Sequence, residues 1–194
     1  MNKREFMTVA TLAGLLPTAA ALAANTSKPG TGLLTVSGAV GVANRGPFDP
    51  VLDQMMAKHG VRFARAFVFD ALALQRLPAV TINPTLEYDA KVHALSGPLL
   101  STVLEAVGVG ATSDVILGLR AVDGYNVALS RADAHRYRMV IATHIDGQPL
   151  ALGGLGPQWA IIDADSVPPF KDAPLKGRFA LCPWGLYHID VKPA

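Results

Sequence analysis

Two spacings of apolar residues divide this chain. In the stretch 98–107, Leu99, Leu100, Val103, Leu104 and Val107 fall on one face of a 3.6-residue period, and Gly108 follows. That predicts an amphipathic helix with a glycine stop. Shorter apolar runs at 33–40, 65–69, 115–121, 125–129, 139–145, 158–162 and 184–191 predict strands. A further run at 79–86 is interrupted by Pro84 and so belongs at an edge or a bulge. Asp123-Gly124 and Asp146-Gly147 are hairpin turn signals. Asp49-Pro50 predicts a helix start, with Val51, Leu52, Met55 and Met56 at helical spacing up to Gly60 and the methionines as core filler. Asp70 predicts a capped short helix that Pro78 stops, and Ser130 with Asp133 a capping box. Many strands with short helices between them make an α+β class, with a mixed β-sheet or a small barrel.

Composition narrows the class. The chain has 194 residues, 51% hydrophobic and 16% charged, enough for one sizeable core and too little charge for a nucleic-acid surface. The formal charge of +2 includes Lys3 and Arg4 against Glu5. Those residues open a segment that reads as a secretory signal over 1–23: a basic start, an apolar centre from Val9, and Ala21-Leu22-Ala23 as cleavage site. Pro17 and the small residues up to Ala24 disfavour a membrane span, which needs about 20 strongly apolar residues. Lys3-Arg4-Glu5-Phe6-Met7 also resembles a twin-arginine signal with lysine in the first place. The expectation is export to the periplasm, leaving 24–194 as a single domain.

Candidate chemistry is sparse. The five histidines stand at no zinc spacing, and the single cysteine, Cys182, has no disulfide partner. Gly108-Val109-Gly110 and Gly153-Gly154-Leu155-Gly156 lack the setting of a nucleotide loop. Aromatic placement says more. Trp159 and Trp184 start strands beside Gly- and Pro-rich loops, and Tyr88 follows the Pro84 interruption. Such residues are more often packing than platform, but at three loop–strand junctions they suit a flat heterocycle held by stacking. Glu87, Asp123 and Asp165 are acceptors for an amino-imine edge, though Asp123 has an alternative role in shaping its own turn.

Taken in order, 33–44 (LLTVSGAVGVAN), 77–88 (LPAVTINPTLEY), 96–108 (SGPLLSTVLEAVG), 122–134 (VDGYNVALSRADA), 146–150 (DGQPL), 155–165 (LGPQWAIIDAD) and 184–191 (WGLYHIDV) resemble the molybdopterin-binding domain of the sulfite-oxidase type. The likeness runs over nearly the whole mature chain. It implies a sulfite-oxidase-like molybdopterin-binding fold with a pterin cleft. The lining would be the loop after the first strand, the Thr-Leu-Glu-Tyr segment and the Gly-Pro loop. Catalytic members carry a molybdenum-ligating cysteine after Thr-Leu-Glu, where this chain has Tyr88, a poor substitute for a soft thiolate. Trp159 stands where those relatives place an arginine for the pterin phosphate.

Those departures resemble a group of small periplasmic proteins that bind a metal-free pterin and report to a membrane-anchored cyclic-di-GMP enzyme. Tyr88, the Gly156-Pro157-Gln158-Trp159 strand and Trp184 match that group's pattern, with tyrosine in place of the more usual tryptophan at position 88. The expected ligand set follows from the resemblance. Tyr88 and Trp184 flank the ring, Asn44, Gln158 and backbone groups near Gly156 meet its edge, Asp123 takes the amino-imine edge, and Trp159 completes the pocket. No residue is assigned as catalytic or as a metal ligand. The competing expectations are a molybdopterin-dependent oxidoreductase with atypical metal ligation, and a binding module whose empty cleft serves as a partner surface.

Overall fold

The computed structural model describes residues 30–194, so the expected signal segment 1–23 lies outside the described residues. In chain order the elements are β1 (Leu34–Gly38), α1 (Gln54–Lys58), β2 (Ala66–Phe69), α2 (Ala71–Gln75), β3 (Ala79–Ile82), β4 (Leu95–Pro98) and α3 (Leu100–Ala106). They continue with β5 (Val115–Ala121), β6 (Asn126–Ser130), α4 (Arg131–Arg136), β7 (Val140–Ala142), β8 (His144–Ile145), β9 (Gln148–Pro149), β10 (Trp159–Ile161) and β11 (Leu186–Pro193). Two single turns of 3-10 helix, Phe170–Asp172 and Leu175–Gly177, lie between β10 and β11. The class is α+β.

The strands form three sheets. The largest has the order β2-β1-β11-β5-β6 and is mixed, because β1 runs parallel to β11 while its other pairs are antiparallel. A four-stranded sheet, β3-β4-β8-β9, and a two-stranded one, β10-β7, complete the set. Each sheet has two edge strands among the described residues, and isolated bridges, Leu99 to Val140 and Trp159 to Trp184, link the sheets to one another.

Alternation explains the join. Val115, Leu117, Leu119 and Ala121 of β5 are buried while the residues between them are not, the signature of one face on a core. Their side chains meet Leu34 and Val36 of β1, Ile189 of β11 and Leu100, Val103 and Leu104 of α3 in one cluster. Leu95, Ile141 and Ile161 bring the other two sheets into the same cluster. Each fully buried leucine or isoleucine contributes about 1.5–3 kcal/mol relative to exposure. A Cβ at Gly97 would sit 2.0 Å from the Ile141 carbonyl oxygen, so glycine there is what lets β4 close onto β7.

The local signals held unevenly. Asp70 caps α2 through the Ala73 N–H (2.7 Å), and the Ser130 hydroxyl caps α4 by accepting from the Asp133 N–H (3.0 Å). Asp146 and Gly147 take positive φ at the β8–β9 turn, as a tight hairpin requires. Asp49, by contrast, starts a turn: its side chain accepts from Val51 and Leu52 N–H, and the helix begins only at Gln54. Val51 and Leu52 are therefore exposed, and of the two methionines only Met56 is buried. The stretch 95–98, of which only Pro98 was given an element, as the helix start, is strand β4. Pro98 ends it, and α3 begins two residues later than the apolar spacing implied.

Candidate functional site

Three stretches far apart in the sequence meet at a cleft of about 300 Å³. Glu87 and Tyr88 come from the loop after β3, and Asp123 and Tyr125 from the β5–β6 hairpin. Lys176, Phe179, Cys182 and Trp184 come from the irregular segment leading into β11. That segment is held in place by backbone pairing along β10: Ala160 N–H donates to the Pro183 carbonyl (3.1 Å) and Leu186 N–H to the Gln158 carbonyl (2.9 Å). The pairing sets Trp184 beside Trp159 in an antiparallel bridge.

The aromatic residues are layered. Trp159 is fully buried, and its indole N–H donates to the Cys182 carbonyl (2.8 Å). Its ring lies 6.3 Å from that of Tyr88 and 6.1 Å from that of Phe179, both tilted. Tyr88 is 56% exposed, Tyr125 49% and Trp184 36%, so three aromatic side chains face an open space while Trp159 forms the layer behind Tyr88. Large aromatics left exposed around a concavity can gain by covering an apolar or π-faced ligand.

The polar groups give the cleft its chemistry. The Asp123 Oδ1 accepts from the Tyr125 N–H (2.8 Å), the turn-shaping contact, while Oδ2 accepts nothing among the described residues. Glu87 is half-buried beside Tyr88. Partial burial raises the Tyr88 phenol above its ordinary 10, with the Glu87 carboxylate adding to the rise and the nearby Trp184 side chain opposing it. The Cys182 thiol, distant from Tyr88 in sequence, shares the cleft wall with it and is pushed up to about 12 by burial. Two acceptor carboxylates, an exposed lysine and three aromatic faces suit a planar ring with N–H donors on its edge.

A molybdenum-bearing pterin fits this donor set poorly. Of the two candidate ligands, Tyr88 offers a hard phenol oxygen in place of a soft thiolate, and Cys182 is buried. Among the described residues, no three His, Cys, Asp or Glu side chains are grouped to hold a metal ion.

Of the seven residues expected to bind, Tyr88, Asp123 and Trp184 line this cleft, and Trp159 backs it. Three lie apart. The Asn44 amide pairs with strand β2, donating to the Val68 carbonyl (2.9 Å) and accepting from the Val68 N–H (2.7 Å), so it covers a sheet edge. Gly156 spends its N–H on the Ala151 carbonyl (3.0 Å), and a Cβ there would lie 2.4 Å from the Leu150 oxygen. Gln158 is fully buried and lines a different cavity, because successive residues of a strand face opposite ways. Asp165 is likewise committed elsewhere, to Arg178 (2.6 Å) and the Thr85 N–H (2.7 Å). Lys176, Phe179 and Cys182 belong to a segment with no periodicity to point at them, whereas Tyr125 was signalled by its place after Asp123-Gly124.

Compared with known proteins, the chain matches no protein-family model and none of the curated proteins.

Proposed function

We propose that this chain is a non-catalytic periplasmic pterin-binding protein built on the sulfite-oxidase-like molybdopterin-binding fold, and that it signals to a membrane-anchored cyclic-di-GMP enzyme. The observation that carries the reading is the convergence of exposed Tyr88 and Trp184 on one cleft that also holds Glu87 and Asp123. A pterin presents a flat bicyclic face and an edge with an amino group beside a ring N–H. The two aromatic side chains stack on the face. A carboxylate accepts both edge protons, a charge-assisted pairing stronger than a neutral one. Asp123 supplies such a carboxylate: its Oδ1 also keeps the turn contact, and its Oδ2 accepts nothing from the described residues.

Equilibrium dialysis with a fully reduced, unphosphorylated pterin and with molybdopterin tests the binding. The unphosphorylated ligand should bind at least as tightly, and clearly tighter molybdopterin binding would sink the reading. Absorbance and fluorescence of material extracted from the native protein, with metal analysis on the same sample, separate it from the oxidoreductase alternative. Pterin fluorescence without stoichiometric molybdenum is expected. Signalling is tested by co-purification with the periplasmic domain of such an enzyme, with and without added pterin.

A further inference from the structure

The outer face of the five-stranded sheet carries a groove of about 340 Å³ that shares no lining residue with the aromatic cleft. Alternation puts Ile116, Gly118 and Arg120 of β5 on this face, because Leu117, Leu119 and Ala121 point into the core. Register then fixes their company. Arg120 lies between His188 of β11 and Asn126 of β6, and Gly118 lies between Asp190 and Ala128. One row further on, Ile116 opposes Lys192. Arg62, from the loop before β2, lines the same groove.

The floor is bare at Gly118. A Cβ there would meet its nearest neighbour at 3.5 Å, ordinary contact, so the space above the strand is open. Arg120 and Lys192 stand on opposite sides of that row, and Lys192 reaches back to it, its Nζ 3.1 Å from the Asp190 Oδ2. Burial is the chief cause of the lowered His188 pKa; beyond it, Asp190 raises the value while Arg120 and Lys192 lower it, so these charges act at one place. Arg62 spends one N–H on the Val61 carbonyl (2.8 Å), and its guanidinium lies 4.3 Å from the centre of the Phe48 ring. Neither Arg62 nor Arg120 has a carboxylate within ion-pairing distance among the described residues. Asp190 and Lys192 neutralise each other, which leaves two guanidinium charges in the groove without a counter-charge.

We propose that this groove binds a dianionic tetrahedral oxyanion, a phosphate group, above Gly118. Arg120 donates to two of its oxygens, Arg62 and Lys192 complete the neutralisation, and Asn126 offers its amide at the edge. A guanidinium matches phosphate oxygens in geometry as well as in charge, and such hydrogen bonds are stronger than neutral ones. Inorganic phosphate, a soluble phosphate monoester and the headgroup of phosphatidic acid all present this group. The proposal does not rest on the pterin reading, since the groove and the cleft are lined by different residues.

Isothermal titration at constant ionic strength tests it, with inorganic phosphate as probe and acetate as the monoanionic control. Phosphate should saturate at low millimolar concentration or below, at least about ten-fold tighter than acetate. Arg120→Gln should weaken phosphate binding at least about ten-fold, the cost of a lost charged hydrogen bond. Gly118→Val keeps every charge and fills the floor, so it should weaken binding as much; Arg120→Gln decides alone if the valine variant fails to fold. Asp190→Asn removes the opposing charge and should tighten binding. Arg138→Gln, which removes an exposed cation outside the groove, should change nothing. Phosphate that fails to saturate below about 100 mM would overturn the proposal. So would equal losses in Arg138→Gln and Arg120→Gln, an effect of net charge alone, or a fall in affinity in Asp190→Asn. Sedimentation with vesicles containing phosphatidic acid separates the sources. Binding to vesicles that inorganic phosphate competes away assigns a lipid headgroup, and phosphate binding without co-sedimentation assigns a soluble ligand.

Discussion

Tyr88 and Trp184 enter the cleft from segments nearly a hundred positions apart and expose much of their ring area to it. Base–aromatic stacking is worth about 1–3 kcal/mol per ring by alanine substitution. Tyr88→Ala and Trp184→Ala should therefore each weaken reduced-pterin binding by roughly 5- to 150-fold, measured by isothermal titration. Melting temperature should move little, because neither ring is core. Asp123 allows a finer test, since asparagine keeps the oxygen that accepts from the Tyr125 N–H and turns the other oxygen into a donor. Losing a hydrogen bond to a charged group costs about 1.5–3 kcal/mol, so Asp123→Asn should reduce pterin affinity by roughly 10- to 150-fold. An unchanged melting curve would show that the turn survives. Residue types were legible here and their company was not. Tyr88, Asp123 and Trp184 stood out by their neighbours in sequence. Asn44 and Gln158 looked equally available, because nothing in a linear string shows that an amide is occupied by a strand edge or turned to the far side of a sheet.

At the scale of elements, Asn44 does for β2 what a further strand would do, meeting both the N–H and the carbonyl of Val68. Asn44→Ala should cost about 1 kcal/mol, lowering the melting temperature by about 2–4 °C for a chain of this size. Pterin affinity should stay the same, and a fall in affinity would return Asn44 to the binding site. A second device links the loop that carries Tyr88 to the β8–β9 turn. His93 lies 2.6 Å from Asp146 through Nδ1 and 3.0 Å from Asp89 through Nε2. Asp146 first, and Asp89 second, hold the His93 pKa above its ordinary 6.5, while both carboxylates are held below 3.8. A raised pKa means that the clasp's contribution is complete below 6.5 and is lost as pH rises through the folded value. At the acid end the carboxylates give it up only below 3.8. An NMR titration should place the His93 midpoint above 6.5, and Asp146→Asn should lower it more than Asp89→Asn does. Exchange of the Ala94 amide, which donates to Asp146 (2.9 Å), should quicken at alkaline pH beyond the intrinsic rate. The hairpin at Asp146-Gly147 was plain in the sequence because that dipeptide fits a tight turn. That the turn would hold His93 was not, since the two lie more than fifty positions apart.

Across the whole molecule, one buried titratable group contributes to the response to acid. His188 of β11 is 2% exposed, its Nε2 lies 2.8 Å from the Ser37 hydroxyl of β1, and burial lowers its pKa from 6.5 to about 4. The folded state therefore resists protonation that the unfolded chain accepts. The contribution of this group is intact above about pH 6.5 and falls progressively as pH drops toward 4, below which it adds no further loss. Thermal melts across that range should show the decline, and His188→Gln should flatten it. The sequence by itself determined the class, most strands and two helix caps, and it singled out Tyr88, Glu87, Asp123 and Trp184 of the cleft, because periodicity, capping and turn chemistry act over a few neighbouring positions. Tertiary structure decided what sequence spacing is blind to. It brought β4 close onto β7 at Gly97, where no side chain would fit. It set Trp184 beside Trp159 through backbone pairing along β10 and brought Cys182 and Lys176 to the same cleft wall. It sent Gln158 and Trp159 to opposite faces, because adjacent residues of a strand cannot share one.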